Sequence, residues 1–282
     1  MSPAKTSNGA TRGFIVPIGG AEEKEENPII LQRFVEICGG PEARIVVIPT
    51  ASRLNQTGSH YVEVFDELGA QIVFHMEVRS RADCEKKRVL DRVSEATGVF
   101  ITGGNQLRLS TIMGGTSLAK LLRTRNANGM HIGGTSAGAA IMPEHMIAGG
   151  ESGPTPWKGQ AVLSPGLGLT NAVMIDQHFR ERDRLGRLLS ALAFNPFAVG
   201  LGIDENTAAF IGPDGILEVV GTGAITVVDP AKLKYSSIGE ARRGETVSLI
   251  DVRLHILTHG SRYDTHTREP LVEFENAKLE TV

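Results

Sequence analysis

The chain has 282 residues and carries 29 lysines and arginines against 32 aspartates and glutamates, which gives a formal net charge of −3. This near-neutral balance gives no reason to expect nucleic acid or an anionic membrane as a partner. Hydrophobic residues make up 41% of the chain and charged residues 22%, so the composition is that of a globular protein and excludes wholesale disorder.

The beginning of the chain is small and polar and lacks the apolar stretch of a signal peptide. We therefore expect a disordered lead over residues 1–12 and a single catalytic α/β domain over residues 13–282. No apolar run approaches the roughly 18 residues of a membrane span. The only cysteines, Cys38 and Cys84, can form neither a disulfide framework nor a four-cysteine zinc site, which favours a reduced, cytoplasmic location.

Short apolar runs alternate with amphipathic stretches in the first half of the chain. The apolar runs predict strands over residues 14–18, 44–49, 71–75, 98–102 and 130–133. The stretches between them predict helices after Asn27-Pro28, over 61–68, over 82–96 and around 117–125. This order predicts a doubly wound, mostly parallel α/β sheet, in which ligands bind beyond the carboxyl ends of the strands.

The second half changes character. Residues 149–168 are rich in glycine and proline and include the only tryptophan, Trp157, so we expect a long loop or an insertion there. A helix is predicted over 180–194. Strand patterns follow over 208–211, 216–220, 224–228 and 246–257, with a hairpin turn at Pro213-Asp214-Gly215. The sheet should therefore gain an antiparallel extension late in the chain.

The strongest local motif is Gly134-Thr135-Ser136-Ala137-Gly138, a G-x-S-x-G pattern between a predicted strand and a helix-compatible run. Such a turn exposes the serine hydroxyl as a nucleophile. The amide of Ala137, at the start of the helix, would face a developing oxyanion. The alternatives are an ordinary glycine-rich turn or a phosphate-binding loop.

A nucleophilic serine needs a base and an acid that orients the base. His178 follows a predicted strand and lies among polar residues, as expected for a base. Asp204 or Glu205, in the later Gly202–Asn206 stretch, could orient it.

The other possible order is that of α/β-hydrolases, with the acid followed by His255 or His259. Those two histidines lie in an alternating pattern typical of an edge strand, so His178 is the favoured base. The pair also lacks the glutamate of H-E-x-x-H, and no G-x-G-x-x-G occurs. We therefore predict no metal and no cofactor.

Charges cluster after the favoured base. Arg184 and Arg187 would share one helical face, with Asp176 close by. A solvated helix face with ordinary ion pairs would have the same pattern. Fixed guanidinium groups nevertheless suit a carboxylate, and Asp176 suits a guanidinium, so the cluster hints at a substrate bearing both charges.

Together, several of these segments resemble the cyanophycinase family. They are residues 14–20, 101–106, 134–139, 176–187 and 202–208, and residues 252–264 also look similar. The resemblance covers nearly the whole chain from about residue 13. Its most specific element is Asp-Gln-His-Phe at 176–179 followed by arginines at 182, 184 and 187, because the wider aspartyl-dipeptidase relatives share the serine motif but not that string.

The resemblance implies a serine-type exopeptidase that releases β-Asp-Arg dipeptides from cyanophycin, a poly-aspartate whose side-chain carboxyls carry arginine. It also implies a fold like that of class I glutamine amidotransferases, a three-layer α/β sandwich, and a homodimer. The family's nucleophile, base and acid fall on Ser136, His178 and Glu205. Its substrate contacts fall on Gln106, Asp176, Gln177, Arg182, Arg184 and Arg187.

The oxyanion would then meet the amide of Ala137 and one from the Gly103-Gly104-Asn105 turn, for which we take Gly104. Two other functions fit part of the pattern: a related dipeptidase that cuts after an N-terminal aspartate, and a non-catalytic protein that binds β-Asp-Arg. The first has no need of three arginines after His178, and the second has no need of a serine, a base and an acid.

Overall fold

The computed structural model describes residues 2–271. Its helices are α1 (Ile29–Ile37), α2 (Thr57–Glu67), α3 (Lys87–Glu95), α4 (Gln106–Met113), α5 (Ser117–Ala127), α6 (Ala137–Ala140) and α7 (Leu185–Phe194), with 3-10 helices at Gly40–Glu42 and Arg81–Glu85. The first strands are β1 (Ile15–Ile18), β2 (Arg44–Ile48), β3 (Ile72–His75), β4 (Gly98–Ile101), β5 (His131–Thr135), β6 (His145–Gly150), β7 (Ala161–Pro165) and β8 (Val173–Gln177). The later strands are β9 (Val199–Ile203), β10 (Thr207–Ile211), β11 (Ile216–Gly221), β12 (Ile225–Asp229), β13 (Tyr235–Ser236), β14 (Leu249–Ile250), β15 (Arg253–Leu257), β16 (Arg262–Asp264) and β17 (Glu269–Leu271).

The main sheet has nine strands in the order β17-β16-β11-β10-β1-β5-β4-β2-β3. The strands from β1 to β3 in this order are parallel, and the other four are antiparallel additions. Helices cover both faces, so strand residues are buried on either side. On β2, for example, Ile45 and Val47 join one apolar cluster, whereas Val46 and Ile48 join the other. This alternation explains the continuous apolar run in the sequence.

A second sheet of four strands, β15-β12-β9-β8, lies beside the first. Strands β8 and β9 are parallel, and β12 and β15 pair in antiparallel fashion. Helix α7 buries Leu188 and Leu192 in a cluster that includes Met174 of β8 and Val228 of β12. The sheet thereby places the carboxyl ends of β8 and β9 near the carboxyl end of β5.

The α/β class, the largely parallel sheet and the late antiparallel strands are confirmed, but several predicted bounds are wrong. The predicted helix over 180–194 begins only at Leu185. Asp183 has a φ of 47°, and the Asp204 carboxylate accepts a hydrogen bond from the Arg180 amide at 3.1 Å, so the first residues form turns instead. The predicted helix over 82–96 is split, because Ser80 and Asp83 form a capping box that starts a separate 3-10 helix.

Two further differences concern glycine-rich stretches. The region 149–168, expected to be a loop or an insertion, contains the end of β6 and all of β7, which form an antiparallel hairpin. Helix α4 is absent from the predicted elements and begins at Gln106, directly after the Gly103-Gly104-Asn105 turn. Its N-cap is Asn105, whose side chain accepts a hydrogen bond from the Arg108 amide at 3.0 Å.

Residues 2–12 contain neither helix nor strand. The chain there contacts the end of α5, where the Ser7 amide donates to Asn128 Oδ1 at 3.2 Å. Both Cys38 and Cys84 are buried free thiols. None of the helices within residues 2–271 combines the length and the apolar character that a membrane crossing requires.

The fold predicts a large cost for removing Phe100, which is fully buried and whose ring centroid lies 5.6 Å from that of Phe34, 4.9 Å from that of Tyr61 and 5.2 Å from that of Phe65. We expect Phe100→Ala to lower the free energy of unfolding by about 3–5 kcal/mol in urea titrations. The matched control is Phe197→Ala, at a ring that is 53% exposed, with an expected cost below about 1 kcal/mol. Equal costs for the two variants would contradict this account of the core.

Candidate active site

Ser136 occupies a strained turn between β5 and α6, with φ 52° and ψ −110°. The turn is possible because its flanks are glycines. A Cβ atom on Gly134 would lie 2.6 Å from the carbonyl oxygen of Gly138, and one on Gly138 would lie 2.0 Å from the carbonyl oxygen of Ile101. The glycines thus let the chain reverse sharply and present the serine hydroxyl beyond the end of the strand.

A line of hydrogen bonds runs from Ser136 to a histidine and then to a carboxylate. Ser136 Oγ lies 2.9 Å from His178 Nε2, and His178 Nδ1 lies 2.6 Å from Glu205 Oε1. The three side chains follow β5, β8 and β9, respectively. Because Nδ1 faces a carboxylate, the proton of a neutral imidazole belongs there, which leaves the Nε2 lone pair directed at the serine. This arrangement can remove the hydroxyl proton.

Of the two orders that the sequence allows, the structure assembles the first. The carboxylate of Asp204 accepts hydrogen bonds from the amides of Arg180 and Ala224, both at 3.1 Å, so it holds loops together rather than the imidazole. His255 lies on β15, where its ring is 5.9 Å from that of Tyr263. His259 Nδ1 faces a backbone amide of β11.

The charge state of His178 also suits a base. Burial lowers the pKa of its imidazole below the ordinary value, and the positive charges of Arg182 and Arg184 lower it further. The hydrogen bond to Glu205 acts in the opposite direction, but the net direction is down. The imidazole is therefore neutral at pH 7, as proton removal requires.

Backbone segments expected to supply the oxyanion hole lie beside Ser136. Ala137 is the first residue of α6, so its amide has no acceptor within the helix. A Cβ atom on Gly103 would lie 3.4 Å from the Cβ of Ser136, and one on Gly104 would lie 2.2 Å from the carbonyl oxygen of Ala51. The Gly103-Gly104 turn therefore runs in van der Waals contact with the serine, and its close approach to Ala51 requires glycine at position 104.

Asp176, Arg184 and Arg187 are all buried and bind one another. Arg187 Nε donates to Asp176 Oδ2 at 2.8 Å and Arg187 Nη2 donates to Oδ1, while Arg184 Nη1 reaches Oδ1 at 3.5 Å. The amide of Gln177 also donates to Oδ1, at 3.0 Å. Burial lowers the pKa of Arg184 to about 10. The Asp176 carboxylate, expected to receive a substrate guanidinium, is thus already occupied by the protein's own donors.

The other predicted substrate residues differ in exposure. Arg182 is exposed, and within residues 2–271 its guanidinium forms no ion pair. Gln177 is buried beside the serine, with Ser136 Oγ 3.4 Å from its Oε1. Gln106, the first residue of α4, is half-buried and donates from Nε2 to the carbonyl of Ile147 at 3.4 Å.

Glu22, which none of the sequence motifs above includes as a site residue, is a buried carboxylate beneath the serine turn. Thr135, immediately before Ser136, donates its hydroxyl to Glu22 Oε2 at 2.5 Å, and the Tyr61 hydroxyl donates to Oε1. Burial and the neighbouring carboxylate raise the pKa of Tyr61 well above its usual range. Glu22 is only 3% exposed. An acidic residue two positions after the glycine pair that follows a strand was the available signal.

The segment that contains Glu22 also contacts the rest of the relay. Three successive carbonyls of residues 18–20 accept one amide each, from Ser136 at 2.9 Å, His178 at 2.8 Å and Asn206 at 2.8 Å. A Cβ atom on Gly20 would lie 2.3 Å from the imidazole carbon Cε1. One short segment, residues 18–23, therefore fixes the backbone at or next to all three side chains of the relay.

No group of three or more histidine, cysteine, aspartate or glutamate side chains in the described part of the chain is arranged to hold a metal ion. The site is instead built from a serine, an imidazole and a carboxylate on an α/β sheet. Residues 14–219 match the sequence profile of peptidase family S51. The chain belongs to this family.

Two relatives named cyanophycinase span most of this chain. The protein of Geminocystis herdmanii is 43% identical over 262 residues, which cover 92% of this chain and 96% of the relative. The protein of Trichormus variabilis is 41% identical over 264 residues, which cover 93% and 89%, respectively. The crystal structure of a peptidase from an acI-B1 actinobacterium superposes with a TM-score of 0.62 at 19% identity, over 91% of this chain and 98% of that one, and so has a similar fold.

The charge of Arg182 predicts a shift in the pH dependence of activity. Because this guanidinium disfavours the imidazolium form of His178, Arg182→Gln should raise the imidazole pKa. Since only the neutral imidazole accepts a proton, the acidic limb of the kcat/KM profile should move to higher pH. Arg180→Gln is the matched control, because Arg180 pairs with Glu181 and Asp204 and is not among the charges that shift the His178 pKa, so its limb should stay in place. An unmoved or lowered limb in Arg182→Gln would contradict the assignment of the base.

Glu22 predicts a loss of turnover without a loss of fold. Glu22→Gln replaces one acceptor oxygen with a donor, so the Thr135 or Tyr61 hydroxyl loses its partner and the serine turn shifts. We expect kcat to fall about tenfold or more, with a smaller change in KM, because misplaced catalytic groups slow the chemical step. Thermal unfolding monitors the fold, and Glu26→Gln, at an exposed nearby residue, is the control. Unchanged kcat would show that Glu22 does not position the serine.

Proposed function

We propose that this protein is a serine exopeptidase that hydrolyses cyanophycin and releases β-Asp-Arg dipeptides. The observation that carries the proposal is the line of hydrogen bonds from Ser136 through His178 to Glu205, with distances of 2.9 Å and 2.6 Å. The proposal of cyanophycin as the substrate is supported by relatives named cyanophycinase, which match over 92–93% of the chain. The S51 family supports the reaction class.

In the proposed mechanism, Ser136 Oγ attacks the backbone carbonyl of the substrate while His178 Nε2 takes the hydroxyl proton. Glu205 keeps the Nδ1 proton in place and stabilises the imidazolium. The oxyanion accepts hydrogen bonds from the amides of Ala137 and Gly104. The imidazolium returns its proton to the leaving amine, and water then hydrolyses the acyl ester with the same groups in the reverse roles.

The substrate carries one carboxylate and one guanidinium on every unit, so recognition requires charges that remain available. Arg182 is exposed beside His178, and we assign it to the substrate carboxylate. Gln106 and Gln177 can each donate a hydrogen bond to a substrate carbonyl and accept one from a substrate amide N–H.

We assign the buried cluster of Asp176, Arg184 and Arg187 mainly to support. Arg184 Nη1 donates to the carbonyl of Gln177, so the cluster holds that side chain beside the serine. The Nε of Arg184 is buried and has no hydrogen-bond partner among residues 2–271, which leaves one donor of the cluster for a substrate group.

We also propose that the protein is a homodimer located in the cytoplasm. Strand β15 is an edge strand of the second sheet, and its Leu254 and Ile256 are 47% and 57% exposed. Apolar side chains on an exposed edge favour pairing with another chain. The mass of the protein in solution, from light scattering, is the measurement that addresses the dimer.

The mechanism predicts that Ser136→Ala and His178→Ala each lower turnover of cyanophycin by several orders of magnitude, while binding and the unfolding transition are retained. The double variant should lose little more than either single variant, because the two groups act as a unit. His255→Ala is the matched control and should remain close to the wild type. The measurement is the rate of β-Asp-Arg release, with products identified by mass.

Two outcomes would overturn the proposed function. An inactive His255→Ala beside an active His178→Ala would favour the α/β-hydrolase order. Cleavage of ordinary dipeptides with an N-terminal aspartate, without cleavage of cyanophycin, would identify the related dipeptidase activity instead.

A further inference from the structure

We propose that an arginine-lined pocket at the carboxyl ends of β2 and β3 binds a second unit of the polymer, through the free carboxylate of that unit's arginine. This proposal rests on the proposed function and extends it, because it concerns the part of the chain that lies away from the cleaved bond. The pocket contributes none of the groups assigned to the reaction.

The pocket is a cavity of about 280 Å³ at the surface. Residues after β2, among them Arg53 and Leu54, form one wall, and Glu77 and Arg79, after β3, form another. Arg108 of α4 closes the third side. A volume of this size admits a side chain with a terminal carboxylate but not a folded partner.

Its place in the sheet connects it with the serine. The strand order β5-β4-β2-β3 puts Ser136, after β5, and the pocket, after β2 and β3, on the same edge of the sheet. The turn after β4 joins them: Gly103 lies against Ser136, and the Asn105 amide donates to the carbonyl of Ala51, at 3.0 Å, beside the pocket wall.

Strand spacing sets the distance between the two sites. Neighbouring strands lie about 4.8 Å apart, so a pocket between β2 and β3 lies roughly 12 Å from the end of β5. An extended chain advances about 3.5 Å per residue. Polymer bound at the serine would therefore reach the pocket with a unit about three or four residues from the cleaved bond.

The charges of the pocket favour a carboxylate. It contains three arginines and one acidic residue, Glu77, which is already paired with Arg79 at 2.9 Å. Arg53 is exposed and forms no ion pair within residues 2–271. The Nε of Arg108 is buried without an acceptor in that same part of the chain, and such a donor is costly unless a ligand supplies one. Two unpaired guanidinium groups on one cavity suit a carboxylate.

Substrate length tests the proposal. We would measure kcat/KM for β-Asp-Arg oligomers of two to eight units with wild-type protein and with the Arg53→Gln/Arg108→Gln double variant. The wild type should gain with length up to about five units and then level off. The double variant should lose about tenfold on long oligomers and be unchanged on the two-unit substrate. Arg44→Gln, at the opposite end of β2, is the matched control and should retain the full gain.

Chemical variants of the substrate separate the carboxylate from general attraction. We would replace the arginine carboxylates of long oligomers by carboxamides, only in units remote from the cleaved bond. The kcat/KM of wild-type protein on these oligomers should equal the kcat/KM of the double variant on unmodified oligomers. Equal length dependence in the double variant and the wild type, or no gain with length in the wild type, would overturn the site. Absence of turnover on the two-unit substrate would instead contradict the proposed function.

Discussion

The amide hydrogen bonds to the carbonyls of residues 18–20 are the constraint on which the rest of the site depends. Ser136, His178 and Asn206 all have positive φ angles, of 52°, 46° and 46°, which cost free energy in residues with a side chain. Each of them donates its amide to this one segment. The segment is anchored in turn by Glu22, which is buried between the hydroxyls of Thr135 and Tyr61. The segment of residues 18–23 thus stabilises the strained backbone at Ser136, His178 and Asn206. The distances between the side chains of the relay depend on this segment.

Buried charge supplies the second layer of order. The Asp176 carboxylate joins two arginines that are almost wholly buried, an arrangement that costs desolvation and is retained only when its partners are well placed. The cluster of Asp176, Arg184 and Arg187 fixes the end of β8, immediately before His178. The positive charge of Arg184 helps to lower the pKa of His178. The same cluster therefore acts on both the position and the protonation of the proposed base. Arg182 is not part of this cluster, and its guanidinium is exposed to solvent.

The sequence was sufficient where a local pattern decides the structure. Apolar runs located the parallel strands, and the glycines around Ser136 indicated the turn because no other residue fits there. The sequence was insufficient where a residue distant in the chain determines the local structure. Helix α7 starts late because Asp204 captures the Arg180 amide, and Glu22 matters only because Thr135 and Tyr61 meet it. His178 was favoured over His255 from its polar neighbours, but only the fold brings it within 2.9 Å of the serine.

The relay joins two sheets, and this arrangement makes its geometry depend on how the sheets pack. The serine follows a strand of the main sheet, whereas the histidine and the acid follow β8 and β9 of the second sheet. Glu205 lies where the chain leaves β9 and enters β10, which pairs with β1 in the main sheet. At that crossover, the Gly19 amide donates to the carbonyl of Thr207 at 2.9 Å. The segment that orients the histidine is therefore also the segment that ties the second sheet to the first, so a change in sheet packing would alter the distance between the serine and its base directly.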